Sequence, residues 1–247
     1  MDRLSNFLQK LRWHLRGHVL RWKGTNSPRS RRHEDKEYEE RLCKLVLEDI
    51  RDLLELKPED KLIDIGCADG YLTQGLRSSV SSVTGIDRSS SLISLAKERH
   101  KIEGLSFRVG DVLSLSFDDA TFDKVCCYSM LQYVCKADLS RVLTELTRIT
   151  KPDGHILLGD IFDKSKEETF ADVILSDSQI SIPGHLVYWL EWLSLKLLNP
   201  VTMYEREDFT SLAKSMGLDV QFHEQRKDFP YSAICYDVVL RKSSITN

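Results

Sequence analysis

Between residues 61 and 160 the chain alternates short apolar segments with amphipathic ones, and this alternation restricts the fold more than any other feature. The apolar segments have the length of strands, while the segments between them repeat their apolar residues at helical spacing. Five strands are predicted, at residues 61–65, 83–87, 105–109, 124–128 and 155–159. Strands that alternate with helices form a parallel sheet with right-handed crossovers, so the sequence predicts an α/β, doubly wound architecture.

The rest of the chain adds helices and two further strands to this region. Two helices are predicted outside this region from their apolar periodicity and end signals, at residues 37–56 and 205–216, and a third at 139–149 lies within it, between the fourth and fifth strands. Two strands without a helix between them close the chain, at residues 219–224 and 232–241. Residues 161–204 break the alternation, and we interpret them as an insertion after the fifth strand.

Composition restricts the class of protein. The 247 residues are 41% hydrophobic and 30% charged, which is typical of a globular domain. The six cysteines share no repeated spacing, so reduced and mostly buried thiols are predicted rather than disulfides or a metal site. The N-terminus lacks the apolar stretch of a signal peptide, and the apolar run at 186–198 is too short to span a bilayer. We therefore expect a cytoplasmic protein.

The first 33 residues are basic, although the net charge of the chain is −3. They contain nine Lys or Arg residues and a single acid, Asp2. Apolar residues recur among them at helical spacing, which predicts a basic amphipathic arm. Such an arm either contacts an anionic membrane or covers the site as a lid with solvated cations, and the sequence leaves both interpretations open.

Polar residues and glycines follow the first three predicted strands. Asp64, Gly66 and Gly70 belong to the turn after the first strand; Asp87 ends the second strand, and Asp111 follows the third. Open parallel sheets bind ligands beyond the carboxyl ends of their strands, and glycine lets the backbone approach a ligand closely. An acid that ends the second strand can accept hydrogen bonds from both hydroxyls of a ribose. The three acids together predict a nucleoside site.

These segments resemble the class I S-adenosylmethionine (SAM)-dependent methyltransferases, in particular the small-molecule group that includes ubiquinone and menaquinone methyltransferases. The matching segments are DIGCADG (64–70), GID (85–87), GD (110–111), SFDDATFDKV (116–125), LQYV (131–134) and RITKPDGHILLGD (148–160). The resemblance implies a Rossmann-like sheet of seven strands, mostly parallel with an antiparallel last strand. It also implies SAM as methyl donor and S-adenosylhomocysteine as product.

The resemblance further implies roles for individual residues. The turn at 64–70 would cradle the methionine part of SAM, Asp87 would bind the ribose, and Asp111 with Val112 would frame the adenine. Residues 128–133 would line the donor site. The implied SAM-binding residues are Asp64, Gly66, Cys67, Ala68, Gly70, Asp87, Arg88, Asp111, Val112 and Tyr128.

One residue departs from the family pattern. Ala68 stands where the family usually has its middle glycine, and we expect its methyl group to be tolerated only if the backbone keeps a negative φ. A nicotinamide enzyme is disfavoured because the GxGxxG pattern is absent: from Gly66 the chain has G-x-A-x-G.

Methyl transfer requires the protein mainly to align the acceptor with the methyl group and the sulfur, because SAM itself carries a reactive methyl group. A base is needed only where the acceptor must lose a proton. Asp160 and Tyr133 are the candidates for this base. Alternatively, Asp160 is a helix-cap or loop carboxylate, and the ring of Tyr133 serves only in packing. His155 lies at the wrong edge of the predicted sheet, so we interpret it as structural. We assign Cys126 and Cys127 to core packing.

The acceptor is the least determined part of the reaction. We divide the chain into a basic arm (1–33), a SAM-binding core (34–160), a cap over the acceptor site (161–204) and a C-terminal part that completes the core (205–247). The apolar cap favours a small acceptor that is hydrophobic, glycan or lipid-linked. The alternatives are an RNA methyltransferase that uses the basic arm, which the acidic body and the missing base-methylase motif disfavour, and a SAM-binding accessory protein without turnover.

Overall fold

The computed structural model describes residues 36–169, 201–229 and 231–242. One sheet of seven strands forms its centre. The strands are β1 (Lys61–Ile65), β2 (Ser82–Asp87), β3 (Leu105–Val109), β4 (Phe122–Tyr128), β5 (Thr150–Phe162), β6 (Leu218–Glu224) and β7 (Cys235–Lys242). Their order in space is β3, β2, β1, β4, β5, β7, β6. All neighbours pair in parallel except β7, which is antiparallel to both β5 and β6. The predicted fold class, including one reversed strand, is confirmed.

Helices connect the parallel strands. The described α-helices of more than one turn are α1 (Lys36–Leu54), α2 (Tyr71–Leu76), α3 (Ser90–Arg99), α4 (Leu139–Ile149) and α5 (Arg206–Ser215). The prediction for α4 has the observed bounds. Helix α3 begins after Ser89, whose hydroxyl accepts the N–H of Leu92 and so satisfies one of the helix's unpaired amides. Helix α5 begins with a capping box formed by Glu205 and Asp208.

Both faces of the sheet are buried, which explains why its central strands are apolar throughout. Consecutive residues of a strand point to opposite faces. In β1, Leu62 therefore packs with Ile50 and Leu54 of α1, while Ile63 joins the core formed with α4. Cys126 and Cys127 of β4 divide between these two cores in the same way and are fully buried, as predicted.

Strand β5 is longer at both ends than the predicted strand at 155–159. The Lys-Pro-Asp-Gly segment at 151–154 lies within it as an irregularity, where the pairing with β4 shifts between Phe122 and Lys124. A second shift interrupts the pairing with β7 between Leu158 and Ile161. Such bulges bend a strand and re-aim side chains at its end. Asp160 therefore lies inside β5 and not after it.

The chain divides into two compact units. Residues 43–166 and 202–247 form the unit that contains the sheet, and residues 1–42 and 167–201 form the other. The predicted basic arm and most of the predicted cap, with its Tyr188, Trp189 and Trp192, lie outside the described residues. Within the described ranges, no helix combines the length and the apolar character needed to cross a bilayer.

Candidate functional site

The turn after β1 is held against β2 by its own backbone. Gly66 and Cys67 both donate their N–H groups to the carbonyl oxygen of Ile86, at 2.7 and 3.0 Å. Gly66 has a φ of +81°, and a Cβ built on it would lie 2.5 Å from Cγ of Met130. Gly70 also has a φ of +81° and begins helix α2. Both glycines occupy backbone conformations that side chains disfavour, which is why the turn needs glycine at these two positions.

Ala68 does not meet the condition of a negative φ that was set for tolerating its methyl group, because its φ is +49°. The left-handed region costs a residue with a Cβ about 1–2 kcal/mol. The N–H of Ala68 donates to Oδ2 of Asp87 at 3.1 Å. This hydrogen bond ties the turn to the end of β2 and helps to hold the strained residue in place.

Asp64 is the buried acid of the site, with 5% of its surface exposed. The hydroxyl of Thr73 donates to its Oδ2 at 2.6 Å. Burial raises the pKa of Asp64 to about 6, and the negative charge of Asp87 acts in the same direction, while the hydrogen bond from Thr73 opposes them. Burial also raises the pKa of the Cys67 thiol, so this cysteine is not a nucleophile at neutral pH.

Asp87 closes β2 and accepts two backbone hydrogen bonds. Its Oδ2 accepts the N–H of Ala68, and its Oδ1 accepts the N–H of Ser89 at 2.8 Å. A carboxylate offers about four lone-pair positions, so these two bonds fix its orientation and leave acceptor capacity for a ligand. This is the arrangement that binding two vicinal hydroxyls requires.

An ion pair lies beside the end of β3. Nε of Arg88 is 3.5 Å from Oδ2 of Asp111, and Oδ1 of Asp111 accepts the N–H of Leu113 at 3.0 Å. Val112, which lies between Asp111 and Leu113 in the chain, is buried in the core. Both charged side chains are more than one-third exposed, and an ion pair in that setting contributes little stability. Asp111 is therefore oriented by its backbone contact while remaining able to exchange Arg88 for a ligand.

A second group of polar residues lies at the carboxyl ends of β4 and β5. We call it the polar cluster; it consists of Ser129, Gln132, Asp160, Gln225 and Asp237. The hydroxyl of Ser129 donates to Oδ2 of Asp160 at 2.7 Å and accepts from Nε2 of Gln132 at 3.0 Å. Nε2 of Gln225 lies 3.4 Å from Oδ1 of Asp160.

Asp237 supports this cluster from β7, where it is only 3% exposed. Its Oδ1 accepts the backbone N–H of Asp160 at 2.8 Å and Nε2 of Gln225 at 3.2 Å. Burial raises the pKa of Asp237 to about 6, with a further contribution from the charge of Asp160. Two carboxyl groups thus share one amide donor in a mostly buried setting.

The backbone of the polar cluster is strained at two adjacent strand ends. Ser129 has a φ of +55° and Asp160 a φ of +58°. The N–H of Ser129 donates to the carbonyl of Gly159 at 2.9 Å, so the two strained residues are held side by side. Each such residue costs on the order of 1–3 kcal/mol and persists only where its surroundings over-determine it. The alternative interpretation of Asp160 as a helix cap or loop carboxylate is wrong, because the residue belongs to β5.

The two candidate tyrosines differ in exposure. Tyr128 is largely buried against β5, where a Cβ on Gly159 would lie 2.3 Å from its Cδ2, and burial raises the pKa of its phenol. Tyr133 is 39% exposed at the end of the short turn Leu131–Tyr133. The structure thus packs the partly buried ring of Tyr128 against the core and leaves that of Tyr133 accessible.

His155 is structural, as predicted. It is buried, and its Nδ1 lies 3.2 Å from the carbonyl oxygen of Leu54. Burial, together with the nearby charges of Lys124 and Arg241, lowers the pKa of His155. His185, a histidine of the predicted insertion, lies outside the described residues.

Sequence reasoning missed two members of the polar cluster, Gln225 and Asp237. Ser129, Met130 and Gln132 belong to the segment 128–133 that the resemblance assigned to the donor site, but no individual role was predicted for them. Of the two missed residues, Asp237 left a signal in the sequence. An acid inside the otherwise apolar run at 234–240 is unusual for a buried strand.

The residues at the carboxyl ends of β1, β2 and β3, which we call the β1–β3 edge, fit the SAM that the resemblance implies. The turn at 64–70 presents its backbone at the switch point between β1 and β4, where such sheets bind nucleotides. Asp87 and Asp111 are both oriented by backbone N–H groups and keep acceptor capacity. The buried acid Asp64 and the neighbouring Asp87 give the site the negative charge that suits a sulfonium and an ammonium group.

Comparison with known proteins agrees with this geometry. Residues 63–158 match the methyltransferase domain family. The chain is 33% identical over 130 residues to a malonyl-[acyl-carrier protein] O-methyltransferase of Erwinia billingiae, an alignment that covers 53% of this chain and 50% of that protein. It is 32% identical over 110 residues to the phthiotriol/phenolphthiotriol dimycocerosates methyltransferase of Mycobacterium leprae, covering 43% of this chain and 39% of that protein. The chain thus spans about half the length of such relatives or less.

Solved structures show the same fold. A SAM-dependent methyltransferase from Methanosarcina mazei superposes with a TM-score of 0.53 at 22% identity, covering 76% of this chain and 94% of that one. A SAM-dependent methyltransferase from Aquifex aeolicus gives a TM-score of 0.57 at 15% identity, covering 87% and 98%. The domain match, the reversed strand β7 and the acids at the ends of β2 and β3 lead to one conclusion: residues 63–158 of this chain match the methyltransferase domain family, and they lie in a fold that SAM-dependent methyltransferases share.

Proposed function

We propose that this chain transfers the methyl group of SAM to a small-molecule acceptor. The observation that carries the proposal is Asp87, an acid at the end of β2 that is oriented by two backbone N–H groups, one of them from the glycine turn. The relatives' names support methyl transfer to small or lipid acceptors.

The donor is assigned to the β1–β3 edge. Asp87 would accept hydrogen bonds from the ribose hydroxyls, and Asp111 and Val112 would frame the adenine. Arg88 would leave Asp111 to make room for the adenine. The turn at 64–70 holds the methionine part. When bound, SAM supplies a methyl group on a positively charged sulfur, which keeps the electron pair of the broken carbon–sulfur bond and departs as a neutral thioether.

The acceptor is assigned to the neighbouring ends of β4 and β5. Asp160 accepts a proton from the acceptor where one must be lost, and its carboxylate is oriented for this by Ser129. Tyr133 is the second candidate for contact with the acceptor, because its side chain is accessible.

The acceptor is proposed to be hydrophobic, glycan or lipid-linked, and the protein to act in the cytoplasm with the arm at 1–33 resting on anionic membrane. Co-sedimentation with anionic vesicles tests the arm: we expect salt-sensitive binding that is lost when residues 1–33 are deleted. Binding that survives this deletion would show that the arm is not the contact.

Calorimetry with S-adenosylhomocysteine tests the donor site. Replacing Asp87 with Ala removes two hydrogen bonds to a charged acceptor, on the order of 1.5–3 kcal/mol, so the affinity is expected to fall about tenfold or more. Asp219→Ala, which removes an exposed acid from β6, is the matched control and should leave the affinity unchanged. An Asp87→Ala variant that binds like the wild type would show that the donor lies elsewhere.

A further inference from the structure

Asp160 has acceptor capacity that the fold does not use. Its carboxylate receives the hydroxyl of Ser129 and the amide of Gln225. These two donors approach from the residue after β4 and from the connection between β6 and β7. A carboxylate has about four lone-pair positions, so these two hydrogen bonds leave room for a further donor.

Gln132 supplies a second acceptor beside it. The residue is 7% exposed; its Nε2 donates to Ser129, and its Oε1 is buried without a hydrogen-bond partner among the described residues. A buried oxygen left unpaired costs about 1–3 kcal/mol, and native proteins pair nearly all such atoms. We therefore expect a bound ligand to donate a hydrogen bond to this oxygen.

Among the described residues, the charges beside the polar cluster are negative. Asp237 lies directly behind Asp160, and the negative charge of Asp49 acts on Asp237. Arg226 is the cation paired with this surface, but its guanidinium is taken by Asp49 at 2.6 Å and Glu48 at 3.7 Å. A second anion brought here would meet carboxylates at low dielectric and would be repelled.

We propose that the acceptor presents a proton-bearing nucleophile, a hydroxyl or an amine, to Asp160 and Gln132, and that this site rejects carboxylate acceptors. The inference rests on the proposed function and narrows its substrate class. The proton of the nucleophile passes to Asp160 as the nucleophile's lone pair forms the bond to the methyl carbon. Oε1 of Gln132 accepts a hydrogen bond from a neighbouring group of the acceptor and orients it.

The chemical form of the product tests the proposal. The full chain is incubated with SAM carrying a tritiated methyl group and with a small-molecule extract of cells, and the labelled products are treated first with mild base and then with hydriodic acid, by boiling and then by pyrolysis of the dry iodide salts. Base releases methanol from methyl esters, whereas the hydriodic acid treatment also releases methyl iodide, from ethers on boiling and from methylamines on pyrolysis. We expect a label that resists base and is released by the acid.

Two labelling outcomes overturn the proposal while leaving methyl transfer intact. Label released by base identifies a carboxylate acceptor, and label retained after hydriodic acid identifies methylation at carbon. An absence of any labelled product, with S-adenosylhomocysteine still bound in calorimetry, overturns methyl transfer itself and the present inference with it. The two failures are therefore distinguishable.

A pair of variants tests the role of Asp160. Asp160→Asn is expected to slow labelling on the order of 100-fold or more while changing the affinity for S-adenosylhomocysteine less than about twofold. Asp153→Asn is the matched control, since Asp153 is also an aspartate of β5 with a positive φ, of +61°, but at the opposite end of the strand. Labelling by Asp160→Asn at more than half of the wild-type rate would contradict the proposal.

Discussion

At the β1–β3 edge the ligand-facing groups come from short stretches of sequence. The turn at 64–70, Asp87 and Asp111 each follow their own strand, and backbone N–H groups orient the two acids. In the polar cluster, by contrast, side chains from four separate segments orient one another, and the bond from Asp160 to Asp237 joins residues 77 positions apart. The proposed donor end is therefore built by local chain geometry, and the proposed acceptor end by tertiary packing.

This difference suits the two tasks. Every enzyme that uses the same donor can keep one backbone cradle, because backbone groups do not change with the side chains. An acceptor site must vary with its substrate, and a cluster of side chains on different strands can be altered one residue at a time without disturbing the cradle.

Gly66→Ala tests the donor end most severely. The variant combines a left-handed φ with a Cβ only 2.5 Å from Met130, so we expect a loss of about 3 kcal/mol in unfolding free energy from strain and overpacking together. We also expect the affinity for S-adenosylhomocysteine to fall at least tenfold. Gly217→Ala is the control, since its φ of +67° brings strain without any atom within 4 Å. Denaturant unfolding should show a loss of about 1 kcal/mol there; equal losses at both glycines would contradict the crowding at Gly66.

The pH dependence of stability compares one buried acid from each end. Folding raises the pKa of Asp64 and of Asp237 from 3.8 to about 6. Each acid therefore favours the fold below pH 3.8, and this contribution is lost as the pH rises through about 6, on the order of 3 kcal/mol per group. Asp64→Asn and Asp237→Asn should each remove one part of this pH dependence. Unfolding free energies measured from pH 4 to pH 8 provide the check, and slopes identical to the wild type would contradict the burial of these charges.

Ala68→Gly is the mildest test. Glycine relieves the strain at φ +49° but has more freedom to lose on folding, so we expect a gain of up to about 1 kcal/mol in stability. Ala120 has the same φ of +49° outside the site, so Ala120→Gly should change the melting temperature by a similar amount. Of the two variants, Ala68→Gly alone should alter the affinity for S-adenosylhomocysteine, because Ala68, unlike Ala120, donates its N–H to Asp87. A parallel change of affinity in both variants would argue against a role for Ala68 in the cradle.

Much of the donor end was predictable from the sequence. The apolar period that defines β1 to β4, the cap at Ser89 and the acid that ends β2 all express interactions between residues close in the chain. The φ of Ala68 was left open by the sequence, because its positive value follows from the path of the backbone between β1 and α2 and not from its side chain.

The polar cluster was decided by the tertiary structure. Asp160 was predicted as a candidate base, but its partners were not, because they depend on β7 inserting antiparallel between β5 and β6. That insertion buries Asp237 against the backbone N–H of Asp160 and brings Gln225 to both acids. Periodicity and capping are local and can be read along the chain, whereas hydrogen bonds between distant strands exist only once the register of the sheet has set which side chains meet.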